Sequence, residues 1–213
     1  KIQKVKSINI NSKLFHKRAM ENLEESFKKQ TIKRNRLWSL GLVESMKDPD
    51  AIYKETKNIV VIKDKYPKAK IHYLVLPCED ISSIYKLNKT HLNLLSEFGS
   101  MFNLIKEEHD SELQAGFHAV PSMQRLHMHV ISTDMNSPSL KTKIHWNSFT
   151  TILFVFFFIT DLMRKLKENG SIEKISNETH KLLMSLPLKC NQCSFEPKNI
   201  KISQPWIDHF LYI

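Results

Sequence analysis

The sequence predicts an α+β domain built on an antiparallel sheet. Three observations predict it. Short apolar, β-branched runs recur at 58–63, 71–76, 116–120 and 126–132. A single stretch of helical period, 91–109, lies between the second and third of them. Turn-forming residues separate the runs, as in strands that double back on one another.

Taken in order, residues 13–37 read as a basic helix with scattered apolar positions at Leu14, Phe15, Leu23, Phe27, Ile32 and Leu37. Asp48-Pro49-Asp50 marks a turn. The runs 58–63 and 71–76 form a strand pair across Asp64-Lys65-Tyr66-Pro67-Lys68. Asn88-Lys89-Thr90 caps the following helix, whose Leu92, Leu95, Phe98, Phe102 and Ile105 share one face. Strands 116–120 and 126–132 come next. Residues 160–185 then read as helical, interrupted at Asn169-Gly170. No internal repeat is present. With 213 residues, 41% of them hydrophobic, the chain can bury one substantial core and carry a small appendage.

Net charge is +10, from 32 Lys+Arg against 22 Asp+Glu. The excess is concentrated: residues 1–36 hold eleven Lys/Arg against three Glu, a local excess of +8. A nucleic-acid-binding arm has this character, and so does a solvated basic tail or localisation signal. Cys78 stands alone and Cys190-Asn191-Gln192-Cys193 forms a pair, which suits a reducing compartment with the pair used for metal. No secretory signal is visible. The apolar run 152–159 is eight residues long, whereas a membrane helix needs about twenty, so no membrane role is expected. As a strand, that run would need both faces covered.

The segment Gln124-Arg125-Leu126-His127-Met128-His129-Val130-Ile131 alternates in polarity. In a strand, residues i and i+2 share a face. His127 and His129 are therefore expected side by side with Arg125, while Leu126, Met128 and Val130 enter a core. Taken alone, His-x-His is open to three readings: a half-exposed strand, a zinc-ligand spacing, or a histidine nucleophile.

Further blocks narrow the choice. Trp38-Ser39-Leu40-Gly41-Leu42, the run from Val60 to Lys70, His72-Tyr73-Leu74-Val75-Leu76-Pro77, Gly116-Phe117-His118-Ala119-Val120-Pro121-Ser122-Met123 and His145-Trp146-Asn147-Ser148-Phe149 stand in order. The Cys pair follows them after Leu186-Pro187-Leu188. From Trp38 to about Cys193 the chain resembles the aprataxin family of the histidine-triad superfamily. That resemblance implies a histidine-triad fold, with a basic wedge helix before it and a small zinc-finger module after it. The expected segments are a basic arm at 1–37, a catalytic domain at 38–150, a helical connector at 151–186 and an incomplete zinc-finger module at 187–213.

The resemblance also implies roles. The superfamily signature is His-φ-His-φ-His-φ-φ, whose middle position attacks the α-phosphorus of a nucleotidyl group. Here the middle position is His127 and the third is His129, but the first is Arg125, a permanent cation in place of a titratable ring. His118 joins His127 and His129 as a catalytic residue. Lys68, His72, Ser82, Ser83 and Ser122 line the nucleotide pocket. Trp38, Arg125, Asp134, Ser137, Lys141 and Lys143 meet DNA, with Trp38 stacking on an exposed base. Trp146 packs in the core. Cys190, Cys193 and His209 are the implied ligands of a structural zinc, and no fourth ligand is visible. Catalysis itself needs no cofactor.

The implied activity is removal of AMP from 5′-adenylated nicked or broken DNA in the nucleus through an AMP–His127 intermediate, extending to 3′-guanylylated ends. A small-nucleotide phosphoramidate or dinucleotide hydrolase and a non-catalytic DNA-end-binding module are the alternatives.

Overall fold

The computed structural model describes residues 40–150, 156–191 and 193–197, together with helical positions 24, 25, 28, 29 and 31. The chain divides into two units, Lys1–Gly41 and Leu42–Ile213. In the first, the described positions agree with the expected basic helix, and Lys29 pairs with Glu25 one turn away at 2.8 Å. Trp38 lies outside the described residues.

The second unit follows the short helix α1 (Gly41–Ser45) with β1 (Ile52–Glu55), β2 (Ile59–Lys63), β3 (His72–Pro77), α2 (Leu92–Glu107), β4 (Leu113–His118), β5 (Met128–Ser132), α3 (Lys143–Thr150), β6 (Phe156–Phe158), α4 (Ile159–Asn169) and α5 (Asn177–Ser185). Among the described residues the strands form one sheet in the order β1-β2-β3-β5-β4-β6, antiparallel throughout. The expected α+β class and antiparallel sheet are therefore present.

Register decides which side chains share a face. Leu74 and Gly116 lie opposite His129, and His72 lies opposite Ile131. One face thus carries Val61, Val75, Met128, Val130, Ala115 and Phe117, which pack with Leu95, Phe98, Met101 and Ile105 of α2 and Leu162 and Leu166 of α4. Each such aliphatic or aromatic side chain contributes about 1.5–3 kcal/mol when fully buried. The other face carries two smaller clusters. Val60, Ile62, Leu74 and Leu76 pack with Leu42, and Ile131 packs with Trp146, Phe149 and Leu188. His72, His129 and His118 belong to this second face. With both faces covered, β5 is buried along its whole length.

Local chemistry sets the helix ends. The Asn88 side chain accepts from Thr90 N at 2.9 Å while His91 Nδ1 accepts from Asn88 N at 3.1 Å, a reciprocal cap that leads into α2. Gly170, at φ 77°, closes α4 with its N–H on Leu166 O at 3.0 Å.

Two elements differ from expectation. The strand expected to begin at Leu126 begins at Met128, because Arg125 takes a left-handed conformation (φ 90°) that no strand continues. The expected helical connector, 151–186, includes the strand β6, since Phe156, Phe157 and Phe158 pair with His118, Phe117 and Gly116 of β4. The block at 145–149 is helical, within α3. Among the described residues, no helix is long and apolar enough to cross a membrane.

Candidate active site

Four histidines converge. The rings of His118 and His129 lie 4.4 Å apart, those of His127 and His129 5.0 Å, and those of His72 and His129 5.2 Å. Phe149 meets three of them edge-on, at 4.6 Å from His118, 5.1 Å from His129 and 5.5 Å from His72. His72, His127 and His129 are buried and His118 is half-buried.

Backbone groups decide which ring nitrogen carries each proton. A main-chain N–H can only donate and a carbonyl can only accept. Lys68 N donates to His72 Nδ1 at 3.0 Å, so neutral His72 carries its proton on Nε2. That Nε2 lies 2.9 Å from His129 Nδ1 and donates to it, which leaves the His129 proton on its own Nε2. His127 has the opposite arrangement. Its Nδ1 is 2.8 Å from the Arg125 carbonyl and must donate, so Nε2 keeps a lone pair. One imidazole therefore offers a nucleophilic nitrogen, and the next offers a donor.

The rings are held neutral. Burial lowers the pKa of His72 to about 4 and, with the neighbouring His127 and His72, that of His118 to about 3. Burial lowers His127 as well, against the opposing effects of the Arg125 carbonyl and Asp64, and it lowers His129 further with help from His118. An unfolded chain takes up protons near pH 6.5 that these folded imidazoles refuse. Stability is therefore complete above about pH 6.5 and falls as pH drops towards 4 and then 3, by about 1.4 kcal/mol per pH unit for each such ring. Thermal melts between pH 7.5 and 4.5 are expected to show a steep loss of Tm below pH 6.5. A flat profile would contradict neutral buried histidines.

Asp64 was not anticipated as a site residue, since in sequence it reads as a turn residue. Its Oδ2 lies 3.5 Å from His72 Nδ1. Asp64, His72 and His129 bring ligand-type atoms within 4.8 Å of one another, donor types that a transition metal accepts. Both ring nitrogens of His72 are already spent on hydrogen bonds within the chain.

The remaining expected residues divide into two groups. Ser82 and Ser122 are exposed and Ser83 is half-buried. Lys68 is half-buried, with Nζ on the Tyr66 carbonyl, and burial lowers its pKa. Lys141 is exposed and Lys143 partly so. Lys141 N donates to His145 Nδ1 at 3.2 Å, and burial with the Lys68 and Lys141 cations lowers the His145 pKa. His145 thus sits within the field of Lys68 and Lys141.

Asp134 and Ser137 depart from the expectation that they face DNA phosphates. Asp134 accepts from Lys70 N at 3.2 Å, from Asn136 N at 2.7 Å and from the Ser132 hydroxyl. Ser137 is 3% exposed, and its hydroxyl donates to Pro67 O at 2.5 Å. Both brace the loop that carries Lys68. Arg125 is likewise engaged within the chain. Its guanidinium donates to Asp80 Oδ1 at 2.9 Å, Pro77 O at 3.1 Å and Cys78 O at 2.6 Å, so it is no open phosphate contact.

The Cys pair is built against the same body. Trp146, 1% exposed as expected of a core residue, donates Nε1 to Lys189 O at 2.9 Å. Asn147 donates to Met184 O and Leu186 O, and Asn191 donates to Thr133 O at 2.8 Å. Cys190 N donates to Phe195 O at 2.8 Å and Phe195 N to Cys193 Sγ at 3.3 Å, the tight turn and N–H···S contact of a metal-binding knuckle. Cys190 and Cys193 fit two zinc ligands. His209 lies outside the described residues.

Comparison with known proteins places this arrangement. The family described as "Scavenger mRNA decapping enzyme C-term binding" matches residues 38–145, just over half of the chain. Aprataxin of Ciona intestinalis is 44% identical over 176 residues, which cover 80% of this chain and 45% of that protein. The chain belongs to the family that the match over 38–145 describes, and over most of its length it is similar to aprataxins. Aprataxin of Gallus gallus is also 44% identical, over 73% of this chain and 49% of that one. The chain thus spans about half the length of these two aprataxins. A "C2HE / C2H2 / C2HC zinc-binding finger" family matches residues 153–201, which include the Cys pair but not His209. The aprataxin ortholog Hnt3 solved in complex with DNA superposes with a TM-score of 0.64 at 24% identity, covering 84% of this chain and 95% of Hnt3. Hnt3 from Schizosaccharomyces pombe gives 0.62 at 23%, covering 80% and 90%. These two likenesses establish the histidine-triad fold.

Proposed function

We propose that this chain is a nucleotidyl hydrolase of DNA repair that removes AMP from 5′-adenylated ends at nicks and breaks in nuclear DNA. The observation that carries the reading is the opposed tautomers of His127 and His129, a nucleophilic Nε2 beside a protonated one in a pocket of neutral imidazoles. His127 Nε2 attacks the α-phosphorus of the adenylate, forming a P–N bond. The P–O bond to the DNA 5′-phosphate breaks and its electron pair leaves with that phosphate. The His127 ring becomes cationic, and the Arg125 carbonyl on Nδ1–H stabilises it. His129 Nε2–H and Lys68 supply positive potential to the phosphoryl oxygens, which gather charge in the transition state. Water then cleaves the P–N bond, returning neutral His127 and releasing AMP.

The local excess of +8 over residues 1–36 supports a DNA substrate over a free nucleotide. Structural zinc on Cys190, Cys193 and His209 is part of the same reading, as is activity at 3′-guanylylated ends. The test is single-turnover AMP release from a 5′-adenylated nicked duplex and from an AMP phosphoramidate, at 50 and 200 mM salt. Faster release from the nick, with a half-saturating protein concentration that rises steeply with salt, is the expected result. Equal rates that ignore salt would favour a small-nucleotide hydrolase. Nick binding without release would leave a non-catalytic end-binding module.

A further inference from the structure

Arg125 stands where the superfamily signature has its first histidine, and its conformation is unusual. At φ 90° it occupies the left-handed region, which a long L side chain avoids. Something must hold it there. Its guanidinium spans the end of β3 and the loop beyond, reaching Pro77 O, Cys78 O and Asp80 Oδ1 at 3.1, 2.6 and 2.9 Å. The next residue continues the attachment, with Leu126 N on Ile81 O at 2.7 Å. The side chain is only 11% exposed, whereas that of Asp80 is 90% exposed, so the two carbonyls rather than the ion pair carry the clamp. The consequence lies on the other side of the Cα. The Arg125 carbonyl is the group that receives His127 Nδ1–H.

We propose that Arg125 is the positioning residue of the nucleophile: its guanidinium clamp on the Pro77–Asp80 loop aims the Arg125 carbonyl at His127 Nδ1 and so keeps the attacking lone pair on Nε2. This rests on the reading of His127 as nucleophile. The same loop leads into Ser82 and Ser83, so the clamp also ties the edge of the expected nucleotide pocket to the attacking ring. A planar fork serves two carbonyls and a carboxylate at once, which the point charge of lysine does not.

The test compares the parent with Arg125→Gly and Arg125→Lys. Glycine accepts φ 90° without strain and removes only the clamp. Lysine keeps the charge and loses the fork. Two readouts are taken: the tautomer of His127 from its ring nitrogen chemical shifts, and single-turnover AMP release. In Arg125→Gly the His127 proton is expected to divide between Nδ1 and Nε2. The release rate is expected to fall about 10- to 100-fold, with half-saturation changed less than twofold, as misplacing a reacting group does. Arg125→Lys should fall between the two, and it carries the test if the glycine variant does not fold. A single Nδ1–H tautomer and parental rate in the folded variants would overturn the proposal. If the parent itself releases no AMP, the functional reading fails, while the nitrogen shifts still decide whether Arg125 positions the ring.

Discussion

Replacing His127 with alanine is expected to lower single-turnover AMP release from a 5′-adenylated nick by about 10⁴-fold or more, the scale of losing a covalent nucleophile. Nick binding should stay within about threefold, because alanine removes no cation from the surface that meets phosphate. A protein–AMP adduct trapped in the parent by quenching into alkaline denaturant, where a P–N bond survives, should vanish. The reason is local. His127 has its Nδ1 committed to an acceptor-only partner, the Arg125 carbonyl, so its Nε2 is a lone pair by construction. Persistence of the adduct in the alanine variant would assign the attack elsewhere and sink the mechanism.

His72→Leu is expected to give the second-largest loss, about 10²- to 10³-fold in the release rate, comparable to removing one transition-state donor. His72 need not touch the substrate for this. It receives the Lys68 N–H and passes its own proton to His129 Nδ1, which keeps the His129 donor on Nε2. Leucine fills similar space but removes the acceptor of the half-buried Lys68 N–H and the donor to buried His129 Nδ1, the latter at a cost of about 1–3 kcal/mol. The readouts are the release rate and the nitrogen shifts of His129, with a thermal melt as control. A folded variant with the parental rate and an unchanged His129 tautomer would remove His72 from the mechanism.

Much of the fold was legible because periodicity reports burial. Leu95, Phe98 and Ile105 are fully buried as their helical spacing implies, and Leu126, Met128 and Val130 enter the core as alternation implies. The four-residue strand β1 was not legible: Ile-Tyr-Lys-Glu has too little pattern, and its pairing with β2 carries an irregular register. β6 was hidden in an apolar run that has no period. Only long-range pairing with β4 identifies it as a strand. Asp134 and Ser137 looked like phosphate contacts because polar loop residues advertise hydrogen bonding without naming the partner. In the fold, their partners are the chain's own Ser132, Lys70 and Pro67.

The sequence by itself determined which chemical groups the protein can bring to one place. Three imidazoles at 118, 127 and 129, a fourth at 72, a basic arm and a Cys pair are statements about residue type and spacing, and strand alternation puts their side chains on predictable faces. Only the tertiary structure decided what those groups can do. The protons on His72, His129 and His127 are set by the Lys68 amide and the Arg125 carbonyl, and every residue in a chain has a carbonyl and nearly every one an amide. No side-chain pattern marks the two that matter here. They are selected by where the loop after β2 and the left-handed turn before β5 place their backbones, and that placement comes from the packing of the whole sheet.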